Sequence, residues 1–297
     1  MDKFEAMRVF CSVIEAGGFA PAADRMGLST SAVSRHVAQL EAHLNVRLLN
    51  RTTRRMSPTD EGFAYFERCT QLLADLEETE SSVSGEARRP RGRLRLTAPI
   101  ALATLQLAPA FAAFSTQFPE VTLDIQLSDN VADFAEEGLD LAIRVGRVGS
   151  ENLVARHLDD TQLLVAAAPD YLARAGTPKT PDDLTHHRCL TYTYSSIGNQ
   201  WSFEDKNGKP LTTRINGPIN ANNGMLLAEI AVAGGGIALA PCFILQPLID
   251  SGRLQRVLPD WGAPRLPIHA VYPTRRHLSA KVQAMTGFLA EWFASPR

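Results

Sequence analysis

A single arginine, Arg35, stands among small polar residues in the stretch STSAVSRHVAQLE over 29–41. A guanidinium can bond guanine O6 and N7 together, and the hydroxyls of Thr30, Ser31 and Ser34 can reach phosphate oxygens or base edges. A few residues later NVRLLNRTTRRMS brings Arg47, Arg51, Arg54 and Arg55 with no acidic residue among them. Such a run suits a phosphate backbone, where neutralising charge supplies affinity without reading sequence.

These side chains need elements to hold them. On a helical wheel Val33, Val37, Leu40 and Leu44 form one stripe, and Ser31, Ser34, Arg35, Ala38 and Ala42 lie opposite it. A helix kept clear of bulk on its outer face can enter a major groove about 12 Å wide. Ser29 stands at its N-cap position. Two earlier helices are expected, one over 4–14 ending at Gly17-Gly18, one over 20–27 with Pro21 in its first turn. The β-prone residues between the arginines predict a two-stranded wing. From Thr59 to about Glu86 the chain reads as one long helix, with Phe66, Cys69, Leu73, Leu76 and Val83 spaced by threes and fours and Glu80 interrupting them. That spacing predicts a coiled-coil seam, with Leu73 and Leu76 in a dimer contact. Arginines then crowd around Pro90 and Gly92, marking a hinge.

Beyond the hinge strands alternate with helices. LRLTAP, VTLDIQLS and LDLAIRVG are strands separated by helices over 101–118 and 130–138, a βαβαβ pattern that predicts a mostly parallel sheet. A second set starts at TQLLVAAAP and runs through RCLTYTY. It continues with a hairpin turning at Asn207-Gly208, a helix from about Asn223 and the strand GIALAP. The strand LPIHAVYP and a last helix over 279–293 close the chain. Two α/β lobes are expected.

At this point the chain resembles the LysR-type transcriptional regulators over its whole length. The most specific part is FCSVIEAGGFAPAADRMGLSTSAVSRHVAQLEAHLNVRLLNRTTRRMSPTDEG; RGRLRLTAP, DLAIRVG, LVAAAPDYL and AVAGGGIALAP follow in order. The resemblance implies an α+β chain. Its expected parts are a winged helix-turn-helix over 1–58, a dimerising linker helix and hinge over 59–88, and a two-lobed effector domain over 89–297 like the periplasmic binding proteins. Lobe 1 would take about 89–161 and 267–297, and lobe 2 about 162–266. By position it assigns Thr30, Ser31, Ser34 and Arg35 to the recognition helix, and Arg51, Thr52, Thr53 and Arg54 to the wing. It also implies promoter DNA, a small-molecule effector and a homodimer or homotetramer as partners. Ala20 departs from the Ser or Thr that usually caps the second helix, and Leu49-Asn50 from a common Phe-acid pair.

In such sheets ligands bind beyond the carboxyl ends of the strands. The expected effector contacts are therefore Thr97, Ala98, Ile100 and Ala101 at one strand-to-helix junction, with Ser128, Val145 and Gly146 at neighbouring ends. Tyr194, Asn222 and Asn223 are expected from the second lobe. Thr97 and Asn222 could equally be helix caps. If they bind ligand, N–H groups at the two helix starts would hold an anionic molecule, and the apolar surroundings of Thr97 suit a hydrophobic body.

Other functions find little support. A net charge of −2 announces no polyanion partner globally, so any DNA surface must be local. Gly-x-Ser-x-Gly, a phosphate loop and HExxH are all missing, so no enzyme, catalytic residue, cofactor or metal site is expected. His186-His187 reads as a surface loop. Trp201 reads as core. Four scattered cysteines fit a reducing compartment; Cys189 with Cys242 as a redox pair, or a cytoplasmic solute-binding protein, are the rival readings. No signal peptide or transmembrane run is read, and a cytoplasmic protein without membrane contact is expected.

Overall fold

The computed structural model describes residues 2–51, 56–84, 89–130, 134, 138–148, 153–195, 198–273 and 278–295, without the side chains of 51, 71, 74, 75 and 77–84. The chain divides into two compact units, Met1–Arg89 and Pro90–Arg297.

In the first unit α1 (Lys3–Glu15), α2 (Phe19–Met26) and α3 (Thr30–Leu44) precede a two-stranded antiparallel ribbon. The ribbon is β1 (Leu49–Arg51) paired with β2 (Met56–Pro58), and α4 (Asp60–Ser84) follows it. Its pairing gives the expected wing strands, while Thr52, Thr53, Arg54 and Arg55 lie outside the described residues. Asp2 caps α1 by accepting from Phe4 and Glu5 N–H. The second helix starts earlier than expected, at Phe19, so Pro21 is its third residue and no side chain caps it. Gly27 then stops it with a left-handed φ of 65°.

Val9, Phe10 and Val13 of α1 pack with Ala22 and Ala23 of α2 and Val33, Val37 and Leu40 of α3, all buried. Cys69 and Leu73 of α4 join this same core. That corrects their assignment to an intermolecular seam. Their side chains are already buried within this unit, and among the described residues of α4 the exposed large apolar ones are Phe63 and Leu72. Val83 and Glu80 belong to the positions whose side chains are not described.

The second unit is built on one mixed nine-stranded sheet. In lobe 1 β3 (Gly92–Ala98) pairs in parallel with β4 (Val121–Leu127) and β5 (Leu141–Val145). Between β3 and β4 run α5 (Ile100–Leu102), a π-helical turn (Ala103–Leu107) and α6 (Ala108–Gln117). Pro109 has no N–H to give to the carbonyl one turn back, and the widened turn before it absorbs that loss. The helix expected over 130–138 falls almost wholly on residues outside those described.

β6 (Leu153–Ala167) begins well before the expected TQLLVAAAP and joins the two lobes. Its first part pairs antiparallel with β13 (Arg265–Pro273) as far as Gln162, and its last part with β11 (Ile237–Pro241) from Leu163. The antiparallel joining strands make the sheet mixed where a mostly parallel one was expected. In lobe 2 α7 (Pro169–Ala175) leads to β7 (Cys189–Tyr192), which has parallel neighbours β11 and β10 (Ile219–Ala221). β8 (Gln200–Glu204) and β9 (Pro210–Arg214) form the expected hairpin. Next come α8 (Gly224–Val232), α9 (Cys242–Asp250) and β12 (Gln255–Arg256); α10 (Ala280–Ala294) follows β13. Trp201 is buried in the core. No described helix is long and apolar enough to cross a membrane.

Candidate DNA-reading face and effector cleft

The face of α3 opposite its buried stripe is open. Thr30, Ser31, Arg35, Ala38 and Ala42 are exposed and Ser34 is half-buried. Ser29 Oγ accepts from the N–H of Ala32 at 3.2 Å, so the cap is a backbone device. Ser31 Oγ shares a hydrogen bond with Ser29 Oγ at 3.0 Å. At the other end Asn45 takes a left-handed φ of 54° to stop the helix.

The turn from helix to wing is fixed by two side chains. Glu41 Oε1 accepts from the N–H groups of Leu48 and Leu49 at 2.9 and 3.1 Å, holding β1 against the end of α3. Thr59 Oγ1 donates to the Arg47 carbonyl at 2.8 Å and accepts from Gly62 N–H at 2.9 Å, which ties the wing to the start of α4. These bonds place β1, and with it Arg51, directly after the open face of α3. A strand that ends at Arg51, following a helix face of mostly small residues, suits phosphate and base edges respectively.

In the second unit eight of the ten expected effector residues fall into three groups. Ala98 and Ala101 belong to the hydrophobic core. Ser128 and Asn223 serve turns: Ser128 Oγ accepts from Asn130 N–H at 3.2 Å, and Asn223 Oδ1 caps α8 by accepting from Leu226 N–H at 2.9 Å. Ile100, Val145 and Gly146 are partly exposed around the strand ends and Asn222 is exposed, and Gly146 needs its positive φ of 95° for the turn it makes there.

Thr97 is only 1% exposed, and its Oγ1 accepts from an Arg144 guanidinium N–H at 3.4 Å. Arg144 also donates to the Ile143 carbonyl at 2.8 Å. The N–H of Ile100, expected to be available to a ligand, is instead taken by Asp129 Oδ1 at 3.0 Å. A carboxylate of the chain itself therefore already sits at this helix start. Burial raises the Asp129 carboxyl above its ordinary range, opposed by that N–H and by the charge of Arg144.

From lobe 2, Tyr192 comes close enough to feel these charges. Its phenol is pushed up first by burial, then by Asp129 and Tyr194, and is pulled down by Arg144. Tyr194 is exposed and meets Tyr192 edge-on, ring centroids 5.9 Å apart. The two lobes thus share one polar patch of Thr97, Asp129, Arg144, Tyr192 and Tyr194. Arg144, Asp129 and Tyr192 were not singled out in the sequence. The available signal was a lone cation inside the otherwise apolar strand LAIRV.

The cysteines Cys189 and Cys242 have separate partners. Cys189 donates to the Leu184 carbonyl at 3.7 Å, and burial pushes its thiol up to about 12. Cys242 Sγ lies 3.6 Å from Thr161 Oγ1. His186 closes a 3₁₀ turn, and His187 Nδ1 shares a hydrogen bond with the Tyr171 hydroxyl at 3.2 Å. Among the described residues no group of three or more His, Cys, Asp or Glu is arranged to hold a metal.

Comparisons with known proteins agree with both halves. Residues 4–63 match the bacterial regulatory helix-turn-helix proteins of the lysR family, and residues 87–294 match the LysR substrate binding domain. An uncharacterized HTH-type transcriptional regulator of Haemophilus influenzae is 38% identical over 286 residues, covering 96% of this chain and 99% of its own. An HTH-type transcriptional repressor of Pseudomonas aeruginosa is 36% identical, covering 99% of this chain and 93% of its own. Among solved structures, CrgA, a LysR-type regulator from Neisseria meningitidis, superposes with a TM-score of 0.61 at 32% identity, covering 98% of this chain and 99% of that one. The chain belongs to the LysR-type transcriptional regulators, with a DNA-binding helix-turn-helix and an effector-binding domain.

Proposed function

We propose that this regulator reads its promoter through α3, with Arg35 on a guanine and Thr30, Ser31 and Ser34 on neighbouring edges and phosphates. Arg51, Thr52, Thr53 and Arg54 of the wing follow the adjacent backbone. The observation that carries this reading is the open face of α3, where Arg35 and Gln39 stand among Ser31, Ser34, Ala38 and Ala42, set on the buried stripe Val33, Val37 and Leu40. The working form is a homodimer or homotetramer, because one half-site supplies too little affinity alone. Residues 1–58 are the reader, 59–88 the linker and 89–297 the sensor. Retardation of a DNA fragment carrying the regulator's own promoter tests it; equal affinity for random DNA of the same length would refute it.

The effector site of this proposal is the patch between the lobes. A small anionic molecule bonds Arg144 and the Thr97 hydroxyl, with Tyr192 and Tyr194 against its body and Asn222 at the rim. The chemistry favours Arg144 over the helix start as anion holder, since Asp129 already occupies the Ile100 N–H. By binding one arrangement of the lobes better than another, the ligand shifts the population of DNA-competent forms. Thermal shift against small carboxylates tests this: Thr97→Val preserves shape but removes the hydroxyl, and should lower the shift. An unchanged shift with the ligand found elsewhere would refute it.

A further inference from the structure

Two cysteines meet inside the DNA-binding unit. Cys11 lies on α1 and Cys69 on α4, helices packed against each other in one core. Cys11 Sγ lies against Thr70, the residue after Cys69, and the two thiols couple electrostatically. Thr70 Oγ1 donates to Cys11 Sγ at 3.8 Å, and the Tyr65 hydroxyl, one turn before Cys69, couples to the Cys69 thiol. The Tyr65 ring in turn packs at 5.7 Å from that of Phe10, the residue before Cys11. Cys69 is wholly enclosed, and Cys11 is 6% exposed. We propose that Cys11 and Cys69 are an oxidation site of this regulator, closing to an intramolecular disulfide that joins α1 to α4 when a small hydroperoxide reaches them.

The two sulfurs are unequal. Interactions with the Cys11 thiol and the Tyr65 hydroxyl pull the Cys69 thiol below its ordinary range against the effect of burial. The same interaction with Cys69, together with burial, holds Cys11 protonated. Cys69 is therefore the nucleophile and Cys11 the resolving thiol. Having lost its proton to solvent, the Cys69 thiolate attacks one peroxide oxygen and the O–O bond breaks. The departing hydroxide takes the Cys11 proton and leaves as water. The Cys11 thiolate then attacks the Cys69 sulfenic sulfur, the S–S bond forms, and the second hydroxide leaves with a solvent proton as water. Two thiols lose two electrons and one hydrogen peroxide becomes two waters.

Closure matters mechanically. A disulfide brings the sulfurs to about 2.05 Å, well inside the separation of unbonded sulfurs, so α1 and α4 must draw together. Since α1 also packs on α3 and α4 on the wing, that movement acts on both elements of the DNA-reading face. The pair is separate from the effector cleft, and its chemistry does not depend on what the cleft binds.

The experiment uses the full chain and hydrogen peroxide. Free thiols are alkylated in denaturant after treatment, and tryptic peptides are mapped by mass; cleavage after Arg8, Arg25, Arg68 and Arg88 separates Cys11 from Cys69. The expected result is a cross-linked peptide pair two hydrogens lighter, released by dithiothreitol, and formed equally in a Cys189→Ala, Cys242→Ala background. Cys11→Ala should leave Cys69 to over-oxidise without a cross-link. A raised unfolding midpoint of the oxidised wild type, reversed by dithiothreitol, would support it independently of DNA binding. Recovery of both peptides fully alkylated after peroxide, while Cys242 is oxidised, would overturn it.

Discussion

Asp129 Oδ1 accepts the backbone N–H of Ile100 at 3.0 Å, filling with the chain's own carboxylate the helix start at which an anionic ligand was expected. That bond satisfies one donor of a helix terminus, but it keeps a half-buried charge beside Tyr192.

Asp129→Asn should therefore stabilise the second unit at neutral pH. Burial raises the folded-state pKa of Asp129, so its contribution is full below the unfolded value and is lost as pH rises through the folded one. The amide keeps the acceptor for Ile100 without the charge. Thermal unfolding should show the variant ahead at pH 7, the gain shrinking as the buffer is taken below the ordinary carboxylate range. A variant less stable at every pH would mean that the charge itself is needed.

Lys281 is expected to be a structural cation. Its Nζ lies 3.1 Å from Asp140 Oδ2 and donates to the Arg93 carbonyl at 2.9 Å, with little of either side chain exposed. Asp140 Oδ2 also accepts the Arg95 N–H at 2.9 Å. Lys281→Met leaves the carboxylate buried without its cation, a change that costs about 3–5 kcal/mol when such a pair is broken. Urea unfolding should show a loss of that order; a loss under about 1 kcal/mol would mean that water reaches Asp140.

Gly62 should tolerate no side chain. A Cβ built on it would stand 1.9 Å from the Leu48 carbonyl oxygen, a backbone atom of the corner held by Glu41 and Thr59. Gly62→Ala must push the start of α4 from the wing, with an expected cost of about 1–3 kcal/mol. Circular dichroism melts of the full chain should show the unit of α1 to α4 weakened while the second unit is unchanged. An alanine variant with both transitions intact would show that the corner can move at no cost.

Much of this arrangement was legible because it is local. The stripe Val33, Val37 and Leu40, the Ser29 cap, the two wing strands and the Asn207-Gly208 hairpin each depend on residues within a turn or two of one another. What escaped depends on distant pairing. The first half of β6 reads as a polar run because it is a bridge between lobes rather than a core strand. Arg144 finds Thr97 only once β5 lies beside β3. Cys69 and Leu73 carry coiled-coil spacing, but the core of their own unit takes them first. Three-four periodicity identifies the buried face of a helix without saying whose surface buries it.

The central claim concerns Arg35, and the most direct test measures Arg35→Ala on two DNAs under one salt condition. Titrations of the full-length protein against its own promoter fragment and against random DNA of equal length give the ratio of affinities. If Arg35 reads a guanine, promoter binding should weaken by about 1–3 kcal/mol, roughly fivefold to 150-fold, while random DNA is bound as before. Equal weakening on both would show that Arg35 touches only phosphate, and no change on either would show that α3 does not read the DNA.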